Sequence, residues 1–316
     1  MTTHPSDADP ARPDRTATGD GTDDDGGLAV LDAFGFEAAA IVLGPEGMRH
    51  RRGDLDRERP WRSVTKTLTG YAAGIALERG LVHLEDPAGP EGSTLRHLLA
   101  HASGYFYESD GVLQAPGLRR HYSNYGIDRA ADHVAAAVGT DFGTWLAEEV
   151  LEPLGMTGLR WTGSPSVGAF SPLHDLARFA AELLRPTLLG PEAFASVTRP
   201  QLPDLAGIMP GFGKQEPNPF GLGFEVRGHK HPHWTGRENA PQTFGHFGML
   251  GTALWVDPIA DLALVVGTDH EFCDAHREWL PRLSDAVLAA AEDGRRDGDG
   301  PRDTGRGGLD HHCRDL

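Results

Sequence analysis

The chain is poor in cysteine, in lysine and in long apolar runs, and each shortage excludes something. Of 316 residues only two are cysteine, Cys273 and Cys313. Cys313 falls in a polar tail, so no structural disulfide is expected, and a reducing, cytoplasmic setting fits. No apolar run approaches the roughly 20 residues that a membrane helix needs. The first residues, Met1-Thr-Thr-His-Pro-Ser-Asp-Ala-Asp-Pro10, have neither the basic start nor the apolar segment of a secretory signal. Positive charge is short as well. With 29 Lys and Arg against 46 Asp and Glu, the formal net charge is −17, which speaks against nucleic acid or an anionic membrane surface as a partner.

Lysine is the scarcest cation. There are three, Lys66, Lys214 and Lys230, and arginine supplies the rest. Arginine stays charged in a protein, whereas a buried lysine can lose its proton. Lys66 follows Ser63 by three residues in Trp61-Arg-Ser-Val-Thr-Lys-Thr-Leu-Thr-Gly70. Apolar spacing at Leu68, Ala72, Ile75 and Ala76 predicts a helix from Val64 to about Arg79, ended by Gly80. Residues three apart share a helix face, so a first-turn serine and an amine one turn on point the same way. The positive end of the helix dipole favours a developing alkoxide there, and a neutral amine can take the serine's proton. Ser-x-x-Lys alone is a common pattern, so its weight depends on the rest of the chain.

What is present suits a substantial folded unit, with 39% hydrophobic residues. Residues 1–27, rich in Asp, Thr, Gly and Pro, are expected to be a disordered tail, as are residues 293–316. Between them, 28–36 reads as a short helix. Ala38 to Leu43 and Met48 to Arg52 form a hairpin about a Gly44-Pro-Glu-Gly47 turn. Helices follow at Thr94, with Thr94 as cap, at 127–138, at 142–150 with Pro153 stopping the pattern, and at 172–184 with Ser171 as cap. Residues 185–219 are Pro- and Gly-rich and read as a surface wrap. Strand signals return at 220–226, at 243–251, and in a hairpin of 252–256 and 262–266. A helix over 279–292 closes the unit. Strands thus bracket a helical middle, and the expected fold class is α+β. One antiparallel sheet is flanked by helices, with an α/β lobe from about 28–62 and 220–292 and an all-helical lobe inserted at about 63–219.

Two further short patterns follow Ser63 and Lys66 in order: Tyr122-Ser-Asn124 and His246-Phe-Gly248. Alone, Tyr122 reads as a core tyrosine beside an Asx turn at Asn124, and His246 as a strand histidine beside a bulge at Gly248. The ordered set resembles the serine β-lactamase and penicillin-binding-protein superfamily, in its class C β-lactamase and family VIII esterase branch. Thr94-Leu-Arg-His-Leu-Leu-Ala-His-Ala-Ser-Gly104, Leu151-Glu-Pro-Leu-Gly-Met156, Asp175-Leu-Ala-Arg-Phe179 and Phe220-Gly-Leu-Gly-Phe224 extend the likeness over residues 28–292.

The resemblance implies acyl transfer through a serine ester, with no metal and no cofactor. Ser63 would be the nucleophile. Lys66, held near neutral, and Tyr122, its phenol pKa lowered by Lys66, would be general base and acid, and which of them serves acylation stays open. Asn124 would hold Lys66 and the substrate, His246 and Gly248 would line the opposite wall, and the backbone N–H groups of Ser63 and Met249 would form an oxyanion hole.

The chain departs from the family at His246, where lactamases and carboxypeptidases carry a lysine suited to a substrate carboxylate; histidine is mostly neutral near pH 7. Arg62 before the nucleophile and the short span from Ser103 to Tyr122 are also unusual. A small-molecule ester or amide is therefore the expected substrate, ahead of a β-lactam or a D-Ala-D-Ala peptide. A transacylase of small-molecule biosynthesis and a catalytically silent binding protein are the alternatives. Three other patterns read as non-functional. Asp310-His-His-Cys313 is taken as tail coincidence, His229-Lys-His-Pro-His233 as a solvated loop, and His97 with His101 as structural.

Overall fold

A computed structural model of the protein describes residues 25–298. Most of the expected N-terminal tail, residues 299–316 and the Asp310-His-His-Cys313 pattern lie outside the described residues. After a short 3-10 helix, Leu28–Ala33, the chain forms the hairpin β1 (Ala38–Gly44) and β2 (Gly47–Arg52), then β3 (Arg59–Pro60). The inserted segment carries α1 (Thr65–Glu78), α2 (Leu95–Leu99), α3 (Asn124–Val138) and α4 (Phe142–Leu146). Next come β4 (Arg160–Trp161), β5 (Ala169–Ser171), α5 (Leu173–Leu184), α6 (Pro191–Thr198), β6 (Gly207–Met209) and β7 (Gly213–Gln215). The chain returns through β8 (Glu225–Val226), β9 (Phe244–Phe247), β10 (Ala253–Asp257), β11 (Leu262–Thr268) and α7 (Asp274–Gly298).

The main sheet has the order β2-β1-β11-β10-β9-β8, every pairing antiparallel, so the first hairpin joins the last strands edge to edge. Alternate residues on a strand face opposite ways. Ala39, Ile41, Leu43, Ala263 and Val265 pack towards α1 and α5, while Ala40, Val42, Leu262, Leu264 and Val266 pack towards α7 and the first 3-10 helix. Burial on both faces explains why these strands read as continuous apolar runs. The exposed edge, β2, carries Arg49, Arg51 and Arg52, charges that discourage pairing with another chain. The short sheet β3-β5-β4 and the hairpin β6-β7 stand beside the inserted helices.

Helix α1 is buried from Thr65 through Ala76, which makes it the central post of the insertion. It is crossed by the Gly221-Leu-Gly223 turn at very short range: a Cβ on Gly70 would lie 1.7 Å from the Leu222 carbonyl oxygen. That crossing corrects the expected strand over 220–226, of which only Glu225–Val226 pairs regularly.

Other boundaries differ for local reasons. α3 starts three residues early because Ser123 caps it, its Oγ accepting from the Gly126 N–H at 3.0 Å. The helix over 142–150 widens into a π turn from Ala147 to Leu151. Ser171 is not a cap: its Oγ accepts from Trp61 Nε1 at 2.9 Å, and Pro172 precedes α5 instead. Residues 185–219 do more than wrap the surface, since Leu189 and Val197 are buried in the main core. Helix α7 runs beyond the expected 279–292 at both ends. Arg296 pairs with Glu292 and Asp293 in a segment expected to be disordered. Thr94 does cap α2, with His97 Nδ1 accepting from the Thr94 N–H at 3.2 Å. Among the described residues no helix is long and apolar enough to cross a membrane.

Candidate active site

Ser63 sits in a single 3-10 turn, Arg62–Val64, immediately before α1 rather than in its first turn. Arg62 adopts a left-handed φ of 49°, a conformation disfavoured by about 1–2 kcal/mol for a residue with a Cβ. Gly248, just past β9, lies flat against this turn: a Cβ there would be 2.4 Å from the Trp61 carbonyl oxygen and 3.0 Å from Arg62 Cβ. Only glycine lets the two segments meet, so the third motif presses the nucleophile turn into place.

Lys66 comes off the first turn of α1 and is fully buried. Its Nζ lies 3.1 Å from Ser63 Oγ and donates to the Ser166 carbonyl at 2.9 Å. It also stands 5.0 Å from the centre of the Tyr122 ring. Burial lowers the lysine pKa from 10.5 to about 7, against the opposing pull of Asp128 and Glu108. Near neutral pH much of it is therefore the free amine, with a lone pair available to the Ser63 hydroxyl.

Tyr122 reaches the same point from the other side. Burial of its phenol pushes the pKa well above 10, although a Ser63 hydrogen bond pulls the other way. This corrects the expectation that the phenol pKa is lowered: desolvation comes first, and Tyr107, Glu225 and Glu108 push the same way. Tyr122 Oη lies 3.3 Å from His246 Nε2. His246 Nδ1 is 2.8 Å from the Phe247 carbonyl, an acceptor only, so Nδ1 carries the ring proton and Nε2 accepts from the phenol. Burial first, then Lys66, lowers His246 to about 4, which keeps the imidazole neutral. Lys66 with Ser63 and Tyr122 with His246 thus form two hydrogen-bonded pairs, and the centre of the Tyr122 ring lies 5.0 Å from the Lys66 amine.

Asn124 does not hold Lys66. Its Nδ2 donates to Glu108 Oε1 at 2.7 Å, and its buried Oδ1 has no partner. The Lys66 contact belongs instead to Ser166, whose own N–H is held by Asp128 Oδ1 at 3.1 Å. Sequence reasoning missed Asp128, Ser166 and Glu108. Asp128 follows Asn124 by four residues, but the expected helix began at 127, so only the structure, in which α3 starts at Asn124, puts the two on one face.

Ser63 and Met249 line a cavity of about 220 Å³ together with Tyr107, Tyr122, Met209, Pro210, Phe220, Glu225, His246 and Phe247. The wall is mostly apolar. Neither the Ser63 nor the Met249 N–H is used in the backbone bonds of the surrounding turns.

Behind this wall is a charged cluster that the sequence reading misplaced. Lys230 and His233, expected in a solvated loop, are buried against Glu225 at 2.7 and 2.8 Å, with Trp234 Nε1 donating to the second carboxylate oxygen at 2.7 Å. Burial works to raise the Glu225 pKa, but Lys230 and His233 outweigh it and hold the carboxyl ionised. Lys230 itself is lowered by burial to about 8. His97 and His101 serve the backbone, His101 Nδ1 accepting from the Ser123 N–H at 3.2 Å and its ring lying 4.3 Å from Tyr122.

A serine beside a buried amine, with a tyrosine and a third-motif strand, is the arrangement expected of the serine β-lactamase and penicillin-binding-protein superfamily. The chain belongs to the Beta-lactamase family, whose model matches residues 59–278. It is similar to the crystal structure of a β-lactamase from Mycobacterium bovis, with 49% identity over 84% of this chain and 99% of that one and a TM-score of 0.82. More distant structures share the fold. Simvastatin synthase of Aspergillus terreus aligns at 18% identity over 85% of this chain and 94% of its own, TM-score 0.68. An octameric penicillin-binding-protein homologue from Pyrococcus abyssi aligns at 16% identity over 85% and 76%, TM-score 0.66. No curated protein matches the chain.

Proposed function

We propose that the protein is a serine hydrolase that cleaves small uncharged esters, and less readily amides, through an acyl-enzyme on Ser63. The observation that carries this reading is the buried Lys66 amine, 3.1 Å from Ser63 Oγ with a pKa near 7. Lys66 takes the Ser63 proton as Oγ attacks the carbonyl carbon, and the oxyanion settles between the N–H groups of Ser63 and Met249. Each such donor is worth about 10²–10³ in rate. Tyr122, a neutral phenol, gives its proton to the departing alkoxide and regains one from the Lys66 ammonium. Water then attacks the acyl-enzyme by the same steps in reverse.

Assigning Lys66 as the acylation base follows from the raised phenol pKa: a tyrosinate at neutral pH is the less accessible species. The preference for uncharged substrates rests on His246. Neutral and already bonded to Phe247 and Tyr122, it offers no cation to a substrate carboxylate. The unpartnered Asn124 Oδ1 remains free to accept from a substrate N–H.

Fluorophosphonate labelling with a p-nitrophenyl ester panel tests this. Wild type is labelled, Ser63→Ala is folded and unlabelled, and acetate or butyrate esters turn over faster than nitrocefin. A folded wild-type protein that takes no label overturns the enzyme reading, and acyl transfer to an added alcohol ahead of water replaces hydrolysis by transacylation.

A further inference from the structure

His270, Cys273 and His276 form a spacing His-x-x-Cys-x-x-His where the chain leaves β11 and enters α7. Cys273 Sγ lies 3.4 Å from His276 Nδ1 and 3.9 Å from His270 Nδ1, and all three ligand atoms fall within 4.8 Å of one another. Zinc–nitrogen bonds of about 2.0–2.1 Å and zinc–sulfur bonds of about 2.3 Å at a tetrahedral angle place N and S about 3.5 Å apart. The two measured distances bracket that figure.

The support behind these atoms is also of the kind a metal site uses. His276 is buried, and its Nε2 is 3.1 Å from Thr268 Oγ1, whose own proton goes to the Leu250 carbonyl at 3.0 Å. Nε2 is therefore the protonated nitrogen, and the Nδ1 lone pair faces the thiol. A ligating histidine commonly donates its other N–H in this way, which fixes tautomer and ring orientation. The Phe36 ring stacks on both imidazoles, at 4.6 Å from His270 and 4.8 Å from His276, so the rings are held before any ion arrives. Competing bonds are weak or exposed: the Cys273 N–H reaches His276 Nδ1 at 3.2 Å, and His270 Nδ1 meets the Glu271 carbonyl at the surface.

We infer that His270, Cys273 and His276 bind a zinc-class divalent transition metal, with a fourth position open to water. On binding, the Cys273 thiol releases its proton to solvent, and the His270 ring proton moves to Nε2 as Nδ1 leaves the Glu271 carbonyl. The ion would sit one side chain away from the turn that carries Met249, since Thr268 bonds Leu250 and the Phe272 N–H bonds the Met249 carbonyl at 3.0 Å. Soft sulfur with two imidazoles selects zinc or cobalt over magnesium or calcium.

The test is titration of the reduced full-length protein with Co²⁺, followed by the thiolate-to-cobalt charge-transfer band, with Zn²⁺ as competitor. Cys313, with His311 and His312 beside it, is the rival thiol, so Cys313→Ser is the reference protein. It is expected to show the band, to lose it when Zn²⁺ is added, and to gain melting temperature with Zn²⁺. Cys273→Ser alone, which keeps Cys313, is expected to show no band, and a band there as strong as that of Cys313→Ser overturns the site. Adding His270→Ala to Cys313→Ser, at an exposed position, weakens Co²⁺ at least about tenfold, since loss even of an outer partner typically weakens a site about 10–100-fold. Circular dichroism confirms that each variant is folded. Absence of the band in folded Cys313→Ser, or unchanged affinity in His270→Ala, overturns the site.

Discussion

Replacing Lys66 by methionine is expected to destroy the enzyme and strengthen the fold. In the unfolded chain a lysine holds its proton up to pH 10.5; in the folded protein burial lowers that to about 7. One pH unit of difference corresponds to about 1.4 kcal/mol, so keeping the ammonium buried below pH 7 destabilises the protein by roughly 5 kcal/mol. The sign is set by proton counts: between pH 7 and 10.5 the unfolded state binds more protons, so stability rises with pH and the penalty is relieved. Methionine is close in shape, fits an apolar gap, and loses only the hydrogen bonds to Ser63 and Ser166, about 1–2 kcal/mol each. Net, Lys66→Met is expected to exceed wild type by roughly 1–3 kcal/mol at pH 6. That margin should shrink by about 1.4 kcal/mol per unit above pH 7 and reverse between about pH 8 and 9. Urea denaturation of both proteins at pH 6, 7, 8 and 9, with ester turnover alongside, measures all of this. A variant less stable than wild type at pH 6, or a margin independent of pH, refutes the strained-amine reasoning.

Three other perturbations probe the remaining parts. Tyr122→Phe removes the proton carrier and is expected to lower kcat/KM by about 10²–10⁴, with a fall of only a few degrees in melting temperature from the lost bond to buried His246. Gly248→Ala forces a methyl against the Trp61 carbonyl; a displacement of the nucleophile turn should cost about 10² in rate and about 1–3 kcal/mol in urea stability. Glu225→Gln leaves the Lys230 ammonium buried without its carboxylate, a loss of about 3–5 kcal/mol, readable as a fall in melting temperature of roughly 10 °C.

The candidate catalytic residues were legible where a contact is carried by short spacing. Ser63 and Lys66 are one turn apart, and their meeting at 3.1 Å needs nothing beyond helix geometry. Tyr122 and His246 became readable only as an ordered set, because 124 residues separate two side chains that touch. The partners of Lys66 were hidden for the same reason: Ser166 is 100 residues away and offers a backbone carbonyl, which any residue has. The hairpins at both ends showed themselves through continuous apolar runs. The 220–226 segment misled because Gly221 and Gly223 look like flexible strand residues, whereas Gly223 serves close approach to α1 and Gly221 close approach to the Val197 carbonyl of α6. The loop at 229–233 misled because its charges looked solvated, and nothing local announces that Glu225 awaits them.

The pairing of β1 with β11 has a consequence for how the protein comes into being. Ala38 lies opposite Thr268 and Leu43 opposite Ala263, so the first strand made has no neighbour on that side until the last strand has been synthesised. Loop closure over such a separation is slow, and during translation an apolar hairpin waits with an open edge. Gly248, which presses the serine turn into shape, is likewise made long after Ser63. A nascent or truncated chain ending before Gly248 therefore carries Ser63 without the wall that shapes its turn, and any chain ending before Leu262 presents to chaperones a strand edge that the finished sheet covers.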